Sequence, residues 1–244
     1  MTVGGPEPRD GVCVLGAKDA SAAAELIALA FAEEPGVVAL FPDVRTRAQL
    51  KEVNARGAVR RMLPHGTVHG AFVGETLAAV ALWHPPGVPV TSIVGTVRGV
   101  ADLLPYARRV ARAVPHAART ILGESREAVT LQRRRSRAIA AASDGATWHL
   151  AILATSLQHR GRGLARRLLE RQLARCDEDG LAAWLETTDP VNPPIYERFG
   201  FTTVAHVQDA AWLPGYWVMR REPHSDETPS STGHEVRDEL HPPA

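Results

Sequence analysis

Cysteine is nearly absent: Cys13 and Cys176 stand far apart in 244 residues, which excludes a disulfide framework and a cysteine-built metal site. Cys176 falls on the apolar side of a helical pattern and reads as a small buried hydrophobe. No apolar run approaches the roughly 20 residues a membrane span needs. The opening MTVGGPEPRDG is polar where a signal peptide carries an apolar core. Neither sign of charge is in excess: the formal net charge is +1, so bulk charge gives no reason to expect a nucleic acid or another polyanion. The ten histidines form no His-Glu-x-x-His arrangement, so no metal is expected. These absences together describe a soluble, cytoplasmic protein with no membrane or nucleic-acid partner.

What is present reads as one domain over residues 12–222, between a Gly/Pro-rich flexible lead-in (1–11) and a disordered tail (223–244) rich in Pro, Ser and charge. Val12 to Leu15 reads as a strand. A helix capped by Asp19 or Ser21 runs to about Phe31, and a second, capped by Asp43 or Thr46, stops at Pro64-His65-Gly66. Val68 to Val73 and Leu77 to His84 form a hairpin across Gly74-Glu75. Its second strand is continuously apolar, as a central strand buried on both faces would be. Residues 91–140 have a helical pattern broken at Pro105 and Pro115, with a last helix over about 117–137. The run Arg133-Arg134-Arg135-Ser136-Arg137 in it fits a solvated helix end better than an RNA site, because no aromatics interleave to stack bases. Leu181 to Thr187 is a strand, Tyr196 and Phe199 lie on a short helix begun by Pro193 or Pro194, and Phe201 to Val207 and Tyr216 to Arg220 are the closing strands.

The chain is organised around residues 147–179. Trp148 to Thr155 is of strand length. From Leu164 to Cys176 the apolar positions Leu164, Ala165, Leu168, Leu169, Leu173 and Cys176, with Gln172 among them, form one helical stripe, and Gly180 stands where a C-cap glycine belongs. Between strand and helix lies Arg160-Gly161-Arg162-Gly163-Leu164-Ala165. Two glycines at such a joint let main-chain N–H groups converge at the positive end of a helix dipole, a place for a phosphate or diphosphate. The competing account is a tight turn with solvated arginines around it. The spacing lacks the Gly-Lys-Ser/Thr of a Walker loop and the third glycine of a Rossmann fingerprint.

Arg160-x-x-Gly163-x-Ala165, after a strand and opening a helix, resembles the acetyl-CoA diphosphate motif of the GNAT N-acetyltransferases. Leu185-Glu186-Thr187, Asn192 and Ile195-Tyr196-Glu197-Arg198-Phe199-Gly200-Phe201 resemble the second half of that family, with the combination closest to its puromycin acetyltransferase-like branch. The resemblance implies an α/β fold of the GNAT (acyl-CoA N-acyltransferase) type: a mixed, twisted central sheet that splays where the cofactor enters, helices on both faces, and the 91–140 insertion. It also implies acetyl-CoA as cosubstrate and transfer of its acetyl group to a primary amine, in a ternary complex. The acceptor would be a small molecule such as an antibiotic or toxic metabolite. A protein amine, or a CoA-binding module without catalysis, is the alternative. Monomer and homodimer both remain open.

Such chemistry assigns roles. The cofactor would be held by Arg160, Gly161, Arg162, Gly163, Leu164, Ala165 and Arg166 at the loop, by the main chain of Leu153, Ala154 and Thr155 as if it were an added strand, and by Asn192 and Tyr196. A main-chain N–H from Leu153 to Thr155 would also serve the oxyanion. Tyr196 is the candidate acid for the leaving thiolate; the resemblance places a tyrosine there beside the CoA sulfur. Glu186 is the candidate base, directly or through a water, with an ion-paired glutamate as the other reading. His84 and His149 are rivals, each more readily structural. The acceptor pocket would lie in 37–42 and the insertion.

Overall fold

The computed structural model describes residues 11–34, 38, 43–88, 126–207 and 215–224 of the chain. The expectations for the flexible N-terminus, for most of the 37–42 segment, for the insertion up to residue 125 and for the C-terminal tail beyond 224 lie outside these residues.

The elements follow the patterning of the chain. In order they are β1 (Gly11–Val14), α1 (Ala20–Ala30), α2 (Val44–Met62), β2 (Val68–Val73), β3 (Thr76–His84), α3 (Arg126–Ala142), β4 (Thr147–Thr155), α4 (Leu164–Glu178), β5 (Ala182–Thr187), α5 (Pro193–Glu197), β6 (Thr202–Val207) and β7 (Tyr216–Arg221). The strands form one sheet in the order β1-β2-β3-β4-β5-β7-β6. All neighbours are antiparallel except β4 and β5. The continuous run Ala78 to Trp83 is buried throughout, because β3 is covered on both faces.

One face of the sheet carries α4. Leu164, Leu168, Leu169, Leu173 and Cys176 pack there on Ala71, Ala79 and Leu150 from one side of the sheet and on Ala183, Leu185 and Met219 from the other. The opposite face carries α1 and α2, whose Leu26, Ile27, Val59 and Met62 cover Val68, Val80, Leu82 and Ala154. The same face carries α3, whose Ala138 and Ala142 cover Trp184 and Val218. This corrects the expectation for the arginine run. Arg133 to Arg137 are exposed, but mid-helix rather than at an end, because the small residues after them continue the helix against Trp184. At the far end of α4 the Asp177 carboxylate takes two bonds of 2.7 Å from the Arg221 guanidinium of β7, whose Nε also donates to the Phe199 carbonyl at 2.9 Å. That bidentate grip depresses the Asp177 pKa. Among the described residues no helix is long and apolar enough to cross a membrane.

Candidate active site

The sheet comes apart between its two parallel strands. β4 and β5 pair from Thr147 opposite Ala182 to Leu150 opposite Leu185, and no further. Beyond that point β4 continues along β3 to Thr155, while Glu186 and Thr187 of β5 stay with β7. The parting begins at a bulge: Trp83 faces Leu150 and Leu82 faces Ile152, so Ala151 is the extra residue, and it is exposed. A bulge bends its strand and sharpens the local twist, which carries β4 away from its neighbour. The Ser156 N–H donates to the Ala78 carbonyl at 2.9 Å. Since main-chain groups alternate in an antiparallel ladder, Ala154 turns its own toward Val80 of β3, while Leu153 and Thr155 turn theirs into the fork. Of the three residues expected to offer main-chain groups to a cofactor, Leu153 and Thr155 thus turn them to the open edge, while Ala154 turns its own to β3.

The open edge leads straight into the glycine loop. Gly161 and Gly163 have φ of 75° and 71°, values at which an L side chain is strained. A Cβ at either would meet nothing within 4 Å, so glycine is required for its backbone and not for space. Gly163 is the N-cap of α4, and the Arg167 N–H is the first in the helix to find a main-chain acceptor, the Gly163 carbonyl at 3.0 Å. The N–H groups of Gly161, Arg162, Gly163, Leu164, Ala165 and Arg166 have no main-chain acceptor among the described residues. Gathered at the positive end of a 15-residue helix, they suit a diphosphate. Arg160 and Arg162 are exposed beside them, and buried Leu164 anchors the loop in the core. The Arg166 side chain reaches back to Glu170 at 2.6 Å, which leaves its N–H as its contribution to the loop.

Tyr196 is aimed by a knotted turn. Thr187 Oγ1 accepts from Asn192 Nδ2 at 2.9 Å and from the Asp189 N–H at 3.3 Å, and Asp189 Oδ1 accepts from the Val191 N–H at 3.1 Å. The Asn192 carbonyl then receives the N–H groups of Ile195 and Tyr196 at 2.9 and 3.1 Å. The Asn192 amide nitrogen, expected on the cofactor arm, is committed to Thr187. The Tyr196 ring meets Phe201 edge-on at 5.9 Å and packs on the α4-side core, as Leu153 does. Burial pushes its phenol up to about 12, and its hydroxyl has no partner among the described residues.

Glu186 is the first residue of β5 past the parting, and alternation puts it on the face opposite α4, with Trp184. Its carboxylate is ion-paired: Arg135 Nη2 of α3 donates to Oε1 at 3.1 Å, and the Tyr216 hydroxyl donates to Oε2. Burial and the neighbouring Glu186 charge raise the Tyr216 pKa. Neither Arg135 nor Tyr216 was a sequence candidate; they lie 51 and 30 positions from Glu186, and only the strand order β5-β7-β6 and the seat of α3 bring them together. Beside this group His149 lies flat on Trp184 at 3.8 Å, and His84 stacks behind it at 5.5 Å. Both ring nitrogens of His149 and Nδ1 of His84 are buried without a partner among the described residues. Among the described residues no group of His, Cys, Asp and Glu could hold a metal ion.

These buried imidazoles have a consequence for stability. Burial lowers the pKa of His149 to about 3 and of His69, beneath α4 with Arg171 and Arg175 nearby, to about 4. Both stay neutral in the folded chain while the unfolded chain titrates near 6.5. Stability is therefore complete above pH 6.5 and is lost as pH falls toward 4 and 3, at about 1.4 kcal/mol per pH unit for each histidine. His149→Phe keeps a ring on Trp184 and removes two unpartnered nitrogens. Urea unfolding between pH 6 and 5 should lose about one proton's worth of slope in this variant. An unchanged slope would mean that His149 is charged in the folded state.

A sheet opened between parallel strands, with a phosphate-type loop at the end of the open edge, defines an acyl-CoA N-acyltransferase fold, and comparison with solved structures agrees. The chain superposes on a histone acetyltransferase HPA2 and related acetyltransferase from Corynebacterium glutamicum with a TM-score of 0.56 at 19% identity, covering 89% of this chain and 98% of that one. It superposes on arylalkylamine N-acetyltransferase 2 from Aedes aegypti with a TM-score of 0.56 at 15% identity, covering 87% and 98%. The Drosophila melanogaster polyamine N-acetyltransferase, which forms N-acetylagmatine, gives 0.50 at 16% identity, covering 86% and 98%. Residues 145–204, the stretch from β4 into β6, match the acetyltransferase (GNAT) domain model. An uncharacterized N-acetyltransferase of Schizosaccharomyces pombe is 34% identical over 86 residues; the match spans about a third of its length and a third of this chain.

Proposed function

We propose that this chain transfers an acetyl group from acetyl-CoA to the primary amine of a small molecule, by direct attack in a ternary complex. The observation that carries the reading is the continuity of the open β4 edge with the Gly161–Gly163 loop. One end offers an anion site, and the edge offers Leu153 and Thr155 to an amide-bearing arm. The fork leads to a place between Tyr196 and Glu186.

There the amine nitrogen bonds to the thioester carbon, whose oxygen takes up the carbonyl electron pair and is met by a main-chain N–H of the freed β4 edge. Glu186, directly or through a water, takes the proton the nitrogen sheds. As the carbonyl re-forms, the carbon–sulfur bond breaks and Tyr196 delivers its proton to the sulfur. Asn192 acts by holding the turn that aims Tyr196. Neither Cys13 nor buried Cys176 serves as nucleophile; burial pushes the Cys176 thiol up to about 12. Two unpaired cysteines also suit a cytoplasmic site of action. That these structural neighbours are arylalkylamine and polyamine N-acetyltransferases supports a small amine as acceptor. The likeness of Leu185-Glu186-Thr187 and Tyr196 to Phe201 to the puromycin acetyltransferase-like branch adds aminonucleosides and other toxic amines.

The test is thiol release from acetyl-CoA across a library of alkylamines, arylalkylamines, aminonucleosides and peptides with free N-termini. Turnover with at least one small amine is expected. Preference for peptides would move the acceptor to a protein amine, and CoA binding without thiol release anywhere would make the chain a binding module.

A further inference from the structure

At the mouth of the fork, on the face opposite α4, stands the Glu186 carboxylate, and both its oxygens are taken from within the chain. Arg135 donates to one and Tyr216 to the other, and Arg135 Nε donates to the Tyr216 oxygen at 3.3 Å. The guanidinium carbon lies 5.0 Å from the centre of the Tyr216 ring. A carboxylate, a phenol oxygen and an aromatic face around one cation are the groups that recognise an ammonium or guanidinium.

Two features set this group apart from an ordinary structural tie. The Arg135 side chain is 46% exposed and that of Glu186 25%, and a pair so open to water contributes little to stability. Its neighbours on α3, Arg133, Arg134 and Arg137, are exposed as well, whereas the buried contact of this helix with the sheet includes Ala138 and Ala142. The second feature is position. Glu186 begins the segment of β5 that β4 has left, so the cation bound to it sits where an acceptor must arrive.

We propose that Glu186 and Tyr216 form the seat for the acceptor's cationic group, and that Arg135 fills this seat in the resting protein as an internal stand-in that the acceptor displaces. The inference rests on the acetyl-transfer reading for its purpose. It narrows the acceptor to alkylamines that are ammonium ions, or carry a guanidinium, at neutral pH, and disfavours neutral arylamines. It also orders events: Glu186 becomes available as a base only once Arg135 has swung away.

The experiment compares the wild-type chain with Arg135→Ala, Arg135→Lys and Glu186→Gln. The first readout is calorimetric binding of n-butylammonium and butylguanidinium, which needs no turnover. Arg135→Ala should tighten both about two- to fivefold, the scale of a half-exposed ion pair removed as competitor. Arg135→Lys should fall between, and Glu186→Gln should abolish the tightening when combined with Arg135→Ala. The second readout is the acceptor KM at saturating acetyl-CoA, which should fall in Arg135→Ala for charged amines and stay level for neutral arylamines. Unchanged or weaker cation binding in a folded Arg135→Ala chain would overturn the proposal, as would equal effects on charged and neutral acceptors. Tighter cation binding without thiol release in any variant would keep the seat and sink the acetyl-transfer reading instead.

Discussion

Tyr196→Phe is expected to lower kcat about 10²- to 10⁴-fold, the usual span for a lost general acid, with the KM for acetyl-CoA nearly unchanged. The variant keeps the ring, and with it the edge contact on Phe201. It deletes only a hydroxyl that has no partner among the described residues. A phenol pushed up to about 12 stays protonated across the working range of an enzyme. Complete transfer of its proton to a free thiolate would be uphill by about 5 kcal/mol for conjugate acids near 12 and 8.5. On the mechanism proposed, its value would lie in a hydrogen bond that strengthens as charge collects on sulfur and is completed as the carbon–sulfur bond opens. The wild-type rate should therefore show no alkaline decline from Tyr196 up to at least pH 10, and steady-state kinetics of the two proteins checks both statements. A kcat within threefold of wild type would take Tyr196 out of the mechanism.

A comparable loss, in binding this time, is expected of Gly163→Val. At φ 71° and ψ 13° the N-cap of α4 is in the left-handed region, where a side chain costs about 1–2 kcal/mol. A chain that escapes by turning the peptide also misdirects N–H groups whose bonds to a charged acceptor are each worth about 1.5–3 kcal/mol. The sum of about 3–5 kcal/mol corresponds to a Kd for CoA weaker by roughly 10²- to 10⁴-fold. Because a Cβ there meets no atom within 4 Å, the melting temperature should drop only modestly. Calorimetric titration of CoA against both proteins gives the answer; binding within twofold of wild type would mean that the loop is merely a turn.

The parts of this architecture that were legible in the chain are those dictated by local periodicity. The stripe from Leu164 to Cys176 became α4, Gly74 made the hairpin turn between β2 and β3 with φ of 58°, and the run Ala78 to Trp83 became a strand buried on both faces. The two glycines of the loop were legible because only a positive φ asks for them at that joint. What stayed hidden depends on register and on long-range neighbours. Nothing in the letters Leu150-Ala151-Ile152 announces a bulge, since it arises from the mismatch with β3. The partners of Glu186 were invisible because one comes from α3, which precedes β4 in the chain, and the other from β7. For Asn192, expected on the cofactor arm, the bond from its amide to Thr187 was not legible either.

The rupture between β4 and β5 divides the molecule into two leaves, and α4 is the spine that both are bound to: it rests on Ala71, Ala79 and Leu150 of one leaf and on Ala183, Leu185 and Met219 of the other. At its far end Asp177 bolts it to Arg221 of the second leaf. On the reading proposed, a carrier gripped at the near end enters between leaves whose separation is already set by that spine. Acyl chains longer than acetyl would, on that reading, have to spread two leaves that α4 holds together.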